Sequence, residues 1–67
     1  MIMEIGVVAG EIWNYLDDKK SATEDELIKT LKRPRELVLM GLGWLAREGH
    51  VTLGTLESGY SATLNRK

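Results

Sequence analysis

The chain has 67 residues, no cysteine, and nine Lys and Arg against ten Asp and Glu. This length predicts one domain, residues 1–67, with a core near the smallest that folds unaided. The composition excludes disulfides, cysteine zinc sites and thiol nucleophiles, and the balanced charge argues against binding governed by a strongly positive field.

The amino-terminal stretch MIMEIGVVAG is apolar, but it contains Glu4 and lacks the basic start of a signal peptide. No apolar run approaches the length that spans a membrane. We therefore expect a cytoplasmic protein that makes no membrane contact.

The spacing of apolar residues predicts a first helix over about residues 4–18. Its apolar face consists of Ile5, Val8, Ala9, Ile12 and Leu16, with Trp13 and Tyr15 at the edges. Gly6 and Gly10 lie on one side, and each costs about 1 kcal/mol relative to Ala. We favour fraying and tight packing within the chain as their explanation. The alternative is close approach of a second copy, to which Val7 and Met3 on the outer side would contribute.

Residues 17–20, Asp-Asp-Lys-Lys, predict a solvated loop before a second helix over about residues 24–32. Thr23 and Glu26 fit a capping box at its start, and the acidic residues between them suit the positive end of the helix dipole. A short strand around residues 21–23 would complete a three-stranded sheet with a later hairpin.

A third helix is predicted over about residues 34–48, because Pro34 suits its start and Gly49 its end. The short connection from the second helix indicates a helix-turn-helix corner. The predicted buried arc consists of Leu37, Val38, Gly41, Leu42, Trp44 and Leu45. The opposite side consists of Arg35, Glu36, Leu39, Met40, Gly43 and Arg47.

Alternating residues after the third helix predict a β-hairpin over about residues 50–64, with its turn at residues 57–59. Gly54 is a candidate for a β-bulge, which leaves the register open. The element order predicts an α+β winged helix-turn-helix, three helices followed by a hairpin wing. A three-helix bundle with an ordered tail is the competing architecture, and the alternation disfavours it.

The pairing of IGVVAGEIWNYL with LGWLAREGHV resembles a compact family of bacterial and archaeal winged helix-turn-helix proteins of unknown function. The resemblance is carried by Ile12 and Trp13 in the first helix and by GWLARE, residues 43–48, in the third. It covers nearly the whole chain, although Gly54, Gly59 and the serines make a softer wing than the family's pattern. The resemblance implies the fold and suggests that small stand-alone members self-associate. It implies no activity.

Nucleic-acid binding is one hypothesis, because the second helix of this motif often enters the major groove. The candidate phosphate contacts are Lys29, Lys32, Arg33 and Arg35 at the corner, with Arg47 further along. Against it, Leu39, Met40 and Gly43 offer few hydrogen-bonding groups to base edges, and Glu57 at the wing tip would be repelled by phosphate. The competing interpretation is that these cations complement a helix end and keep the surface soluble.

Protein association is the hypothesis we favour. If Leu39 and Met40 are exposed beside Gly43, they form an apolar patch of the kind that marks interaction surfaces. The glycine face of the first helix, with Gly6, Gly10 and Val7, is a second candidate interface. An isologous homodimer would also enlarge the small core. The competing interpretation is that a slightly rotated third helix buries Leu39 or Met40 within the monomer.

Catalysis is not predicted. His50 is the sole histidine, and as a base for Ser58 or Ser61 it would need a shaped site that nothing else indicates. Trp13 and Trp44 fall near core stripes, which favours packing over base stacking. The sequence has no phosphate-binding glycine loop or metal-ligand spacing, so we expect no cofactor, metal or small-molecule ligand. The sequence therefore predicts a non-catalytic module that self-associates or binds another protein.

Overall fold

The computed structural model describes residues 2–57 and 59–65, with the backbone alone for Ile2. The elements in chain order are α1 (Ile2–Lys19), β1 (Ser21–Thr23), α2 (Glu24–Leu31), α3 (Arg35–Arg47), β2 (Val51–Leu56) and β3 (Gly59–Leu64). The antiparallel sheet has the strand order β1-β3-β2. Three helices with a three-stranded sheet confirm the predicted α+β winged helix-turn-helix.

The first helix is longer than predicted at both ends. It runs over Ile2–Lys19, so Asp17 and Asp18 lie in its last turn, and the prediction of a solvated loop there was wrong. The helix ends because Lys20 adopts a left-handed φ of 76° and donates its N–H to the Leu16 carbonyl at 2.7 Å. One left-handed residue is enough to turn the chain directly into β1.

The capping box at the start of α2 is confirmed. The Glu26 N–H donates to Thr23 Oγ1 at 3.1 Å, and the Thr23 N–H donates to Glu26 Oε1 at 2.8 Å. The helix ends at Leu31, because Lys32 takes a left-handed φ of 57°. Pro34 is the N-cap of α3, and the helix begins at Arg35, one residue later than predicted. The corner between the two helices is therefore tight.

The core lies between α1, α3 and the sheet. Its buried apolar residues are Val8, Ala9, Ile12, Leu16, Ala22, Leu27, Leu37, Val38, Leu42, Leu45, Val51 and Ala62. At the helix crossing, a Cβ on Gly41 would lie 3.1 Å from Ile12 Cδ1 and 3.3 Å from the Ala9 backbone nitrogen. A glycine at this position therefore lets α1 and α3 approach closely.

The two tryptophans lie at the surface more than the sequence suggested. Trp44 was predicted in the buried arc, but it is 49% exposed. That prediction was wrong, because the buried residues of α3 span a narrower arc than predicted, and Trp44 lies just outside it on the flank of Met40. Trp13 is 39% exposed, and its ring centroid lies 4.1 Å from that of His50. The sole histidine thus packs against an aromatic ring.

The hairpin pairs without interruption over all six residues of each strand. Gly54 lies directly opposite Ser61, so the predicted β-bulge was wrong. A Cβ on Gly54 would lie 2.9 Å from Ser61 Oγ, which shows that the glycine makes room for a serine side chain. Glu57 lies in the turn, and Ser58 lies outside the described residues. No helix within residues 2–57 and 59–65 is long and apolar enough to cross a membrane.

Candidate binding surface between the third helix and the hairpin

An apolar groove of about 330 Å³ lies between α3 and the hairpin. It is lined by Leu39, Leu42, Gly43, Leu53 and Tyr60, which we call the α3–hairpin groove. Leu39 and Gly43 were singled out by the sequence, whereas its hairpin wall was not. The groove exists because α3 covers only part of the inner face of the sheet.

The alternation of the strands explains why Leu53 and Tyr60 reach the groove. Residues two apart on a strand share a face, and Leu53 follows the buried Val51 and pairs with the buried Ala62. Leu53 is 37% exposed and Tyr60 is 41% exposed. Both side chains therefore belong to the inner face but extend beyond its covered part. The same alternation in the sequence was the signal that could have identified them.

Leu39 and Met40 lie on different flanks of α3. Successive helical residues are about 100° apart, which follows from 3.6 residues per turn. Leu39 is half-buried in the groove, whereas Met40 is 39% exposed and does not line it. Met40 shares its flank with Trp44, which lies four residues later. Of the predicted Leu39/Met40 face, only Leu39 lines the groove.

The glycine face of α1 is open. A Cβ on Gly6 or Gly10 would meet no other part of the described chain within 4 Å. The favoured explanation of these glycines as tight packing within the chain was therefore wrong, and the reason is that the close helix crossing uses Gly41 instead. Val7 is 54% exposed and Met3 is 84% exposed on the same helix. This apolar stripe is a second exposed surface, separate from the groove.

Arg33, one of the predicted phosphate contacts, is engaged within the chain. Its Nε donates to Glu11 Oε1 at 3.0 Å and its Nη2 donates to Glu11 Oε2 at 2.8 Å. This bidentate pair ties the helix-turn-helix corner to α1. The hydrogen bond from Arg33 lowers the pKa of Glu11, and the same bond raises the pKa of Arg33. A phosphate would compete with Glu11 for this guanidinium.

Arg35, the first residue of α3, is likewise paired with carboxylates, which lie at the start of α2. Its Nη1 donates to Glu24 Oε2, and its Nη2 donates to Asp25 Oδ1 at 3.2 Å. The hydrogen bond with Glu24 is the main cause that raises the pKa of Arg35. Glu24 is only 3% exposed, and its Oε1 accepts the backbone N–H of Tyr60 at 3.0 Å. The sequence suggested only a dipole interaction for this residue.

The remaining predicted cations point to solvent. Lys29 and Lys32 are exposed at the corner, and the Arg47 side chain is 83% exposed, 3.6 Å from Glu48. The corner thus keeps two exposed lysines, while its two arginines are paired with carboxylates. Pairing opposite charges weakens the positive potential that a phosphate backbone would meet there. Within the described part of the chain, no group of three or more His, Cys, Asp or Glu residues is placed to hold a metal ion.

A family model described as a winged helix-turn-helix domain, DUF2582, matches residues 1–63. No curated protein and no solved structure matches significantly.

Proposed function

Since the chain belongs to the DUF2582 family of winged helix-turn-helix domains, we propose that it is a non-catalytic binding module that self-associates through the α3–hairpin groove. Winged-helix domains are generally binding modules, and many of them bind DNA through the helix that here is α3. The observation that carries the proposal is the apolar lining of the groove on this side of α3.

The chemistry of the groove favours a protein partner. Leu39, Gly43 and Leu53 present no side-chain hydrogen-bonding group, whereas base recognition in the major groove needs donors and acceptors. Removing apolar surface from water contributes roughly 25 cal/mol per Å², so a matching apolar surface would be stabilised there. A second copy supplies such a surface without any other component, and it enlarges the core of a very small domain.

The charge distribution supports the same choice. DNA binding by the corner would need several free cations, because affinity for duplex DNA depends on phosphates neutralised by Lys and Arg. Arg33 and Arg35 already bind Glu11 and Glu24, and the formal net charge of the chain is −1. The DNA-binding alternative would therefore depend on Lys29 and Lys32 at the corner.

Sedimentation velocity over a wide concentration range tests the proposal. We expect a monomer–dimer equilibrium that Leu39→Glu shifts toward monomer, because the new carboxylate would have to be desolvated in the groove. Met40→Glu is the matched control, since Met40 lies on the other flank of α3. A strict monomer at high concentration would remove the proposal, as would equal effects of the two substitutions. Circular dichroism establishes that both variants are folded.

Titration with random duplex DNA tests the alternative. We expect weak binding whose affinity falls only slightly with added salt, because few corner cations are available. A steep linear decrease of log affinity with log salt concentration would indicate many phosphate contacts and would favour a DNA-binding regulator. Substituting Lys29 and Lys32 by Gln should then reduce that slope.

A further inference from the structure

The hydrogen-bond pattern of the hairpin shows which backbone groups of β2 point away from the sheet. The Asn65 N–H donates to the His50 carbonyl at 2.9 Å, which extends the β2–β3 register by one hydrogen-bonded pair. In an antiparallel ladder, hydrogen-bonded and non-hydrogen-bonded pairs alternate. The β2 residues that bond to β3 are therefore Thr52, Gly54 and Leu56. The residues whose N–H and C=O point outward are Val51, Leu53 and Thr55.

This outer edge is unprotected. In the order β1-β3-β2, β2 is an edge strand, so among the described residues it has a neighbouring strand on one side only. Within residues 2–57 and 59–65, the N–H groups of Leu53 and Thr55 donate no hydrogen bond, and both residues are exposed. The strand VTLGTL has no charge, proline or bulge, which are the devices that usually prevent an edge from pairing with another chain.

We propose that β2 pairs antiparallel with β2 of a second copy, about a two-fold axis at Leu53. This inference rests on the proposed self-association and specifies its geometry. In this register Leu53 faces Leu53 of the partner subunit, and Val51 faces Thr55 of the partner subunit. All three facing pairs bring outward groups together, which gives about six new backbone hydrogen bonds. The two three-stranded sheets become one continuous sheet.

A second copy is the occupant that this edge fits best. Because β2 has no charged residue, two copies of the strand meet without like charges facing each other. The outward groups at positions 51, 53 and 55 are symmetric about Leu53, so the strand complements itself. The side chain of Leu53 also lines the α3–hairpin groove. A two-fold axis perpendicular to the sheet therefore places the two grooves side by side on the same face of the joined sheet.

Amide hydrogen exchange, measured by NMR at increasing protein concentration, tests the strand pairing directly. As the dimer forms, the exchange rates of the Leu53 and Thr55 N–H groups should fall to about one tenth of the monomer's rates or lower, because each N–H gains an acceptor. The N–H groups of Gly54 and Leu56 are the built-in control, since they bond to β3 in the monomer and should be protected at all concentrations. The experiment uses the unmodified chain, so no variant has to fold.

The outcomes separate this inference from the proposed function. A dimer in which the Leu53 and Thr55 amides exchange as fast as in the monomer overturns the strand pairing and leaves self-association in place. A strict monomer overturns both. Protection of these two amides that increases with the dimer fraction supports both.

Charged substitutions of Leu53, at the proposed axis, provide a second test. Leu53→Lys and Leu53→Glu should each weaken the dimer at least tenfold, because like charges then face each other across the axis. An equimolar mixture of the two variants should recover a heterodimer. Leu56 is the control, because it lies off the axis, and neither Leu56→Lys nor Leu56→Glu should behave in this way. Failure of the mixture to associate more strongly than either Leu53 variant alone overturns the proposed axis.

Discussion

The buried carboxylate of Glu24 accepts the backbone N–H of Tyr60 at 3.0 Å, where a strand would otherwise have supplied a carbonyl. The Leu64 N–H donates to the Lys20 carbonyl, so alternate N–H groups of β3 point toward β1. At Tyr60 the chain of β1 has already turned into α2, and the Glu24 side chain replaces the missing acceptor. Through Arg35, the same carboxylate joins the hairpin to the start of α3.

Substitutions at Glu24 should show how much these contacts contribute to the free energy of unfolding. We expect Glu24→Ala to lower the free energy of unfolding by about 2 kcal/mol, because the Tyr60 N–H and Arg35 both lose a charged partner. Glu24→Gln should cost about half of that, since the amide oxygen can still accept from Tyr60. Urea denaturation followed by circular dichroism measures both. Asp25→Ala is the control, because its pair with Arg35 is exposed and should contribute less than about 1 kcal/mol.

The turn beyond this junction depends on glycine. Gly59 has a φ of 142°, and a Cβ there would lie 2.6 Å from Glu24 Oε1. We expect Gly59→Ala to destabilise the fold by about 2 kcal/mol, from backbone strain together with collision with the carboxylate. In the Glu24→Ala background the same substitution should cost less, because only the strain remains. A double-mutant cycle from urea midpoints measures the difference, and strictly additive effects would contradict the collision.

Two glycines of α3 should respond to alanine in opposite directions. Gly43→Ala should stabilise the monomer by about 1 kcal/mol, because alanine favours the helix and its Cβ would meet nothing within 4 Å beyond the nearby backbone of α3 itself. Gly41→Ala should destabilise it, because its Cβ would lie 3.1 Å from Ile12 Cδ1 and 3.3 Å from the Ala9 backbone. Thermal unfolding of the two variants at low concentration provides the comparison. Stabilisation by both would contradict the close crossing of α1 and α3.

The order of the elements could be read from the sequence because their signals are local. The capping box at Thr23 and Glu26, the glycine after α3, and the alternation of the hairpin each depend on neighbouring residues. Helical spacing also identified the buried residues of α3, but it wrongly included Trp44 among them. The exposure of Trp44 could not be read in this way, because Trp44 lies at the edge of the buried arc, where burial depends on what packs beside the helix.

The candidate surface was only partly predictable for the same reason. Spacing on α3 identified Leu39 and Gly43, but the opposite wall of the groove comes from the hairpin. The ion pairs of Arg33 and Arg35 link residues 22 and 11 positions apart, so no local pattern indicates them. These pairs change the interpretation of the corner, because two cations that were predicted to contact phosphate form ion pairs within the chain instead.

The pair between Glu11 and Arg33 should make stability depend on pH. The hydrogen bond from Arg33 lowers the pKa of Glu11 in the folded chain below its ordinary value of 4.5. As the pH falls, the unfolded chain therefore takes up this proton first, so the stabilisation present above pH 4.5 is lost as the pH falls through the lower folded pKa. The effect should be small, because the two side chains are 34% and 36% exposed and water screens their charges.

Urea denaturation of the unmodified chain and of Glu11→Gln, over a titration from pH 7 to pH 3, measures this contribution. The two chains share every other titrating group, so the difference in their free energies of unfolding isolates Glu11. We expect the unmodified chain to be the more stable at pH 7, with the difference decreasing below pH 4.5 as Glu11 becomes protonated. A difference that stays constant over the whole range would show that the variant loses packing, and that the ion pair contributes nothing.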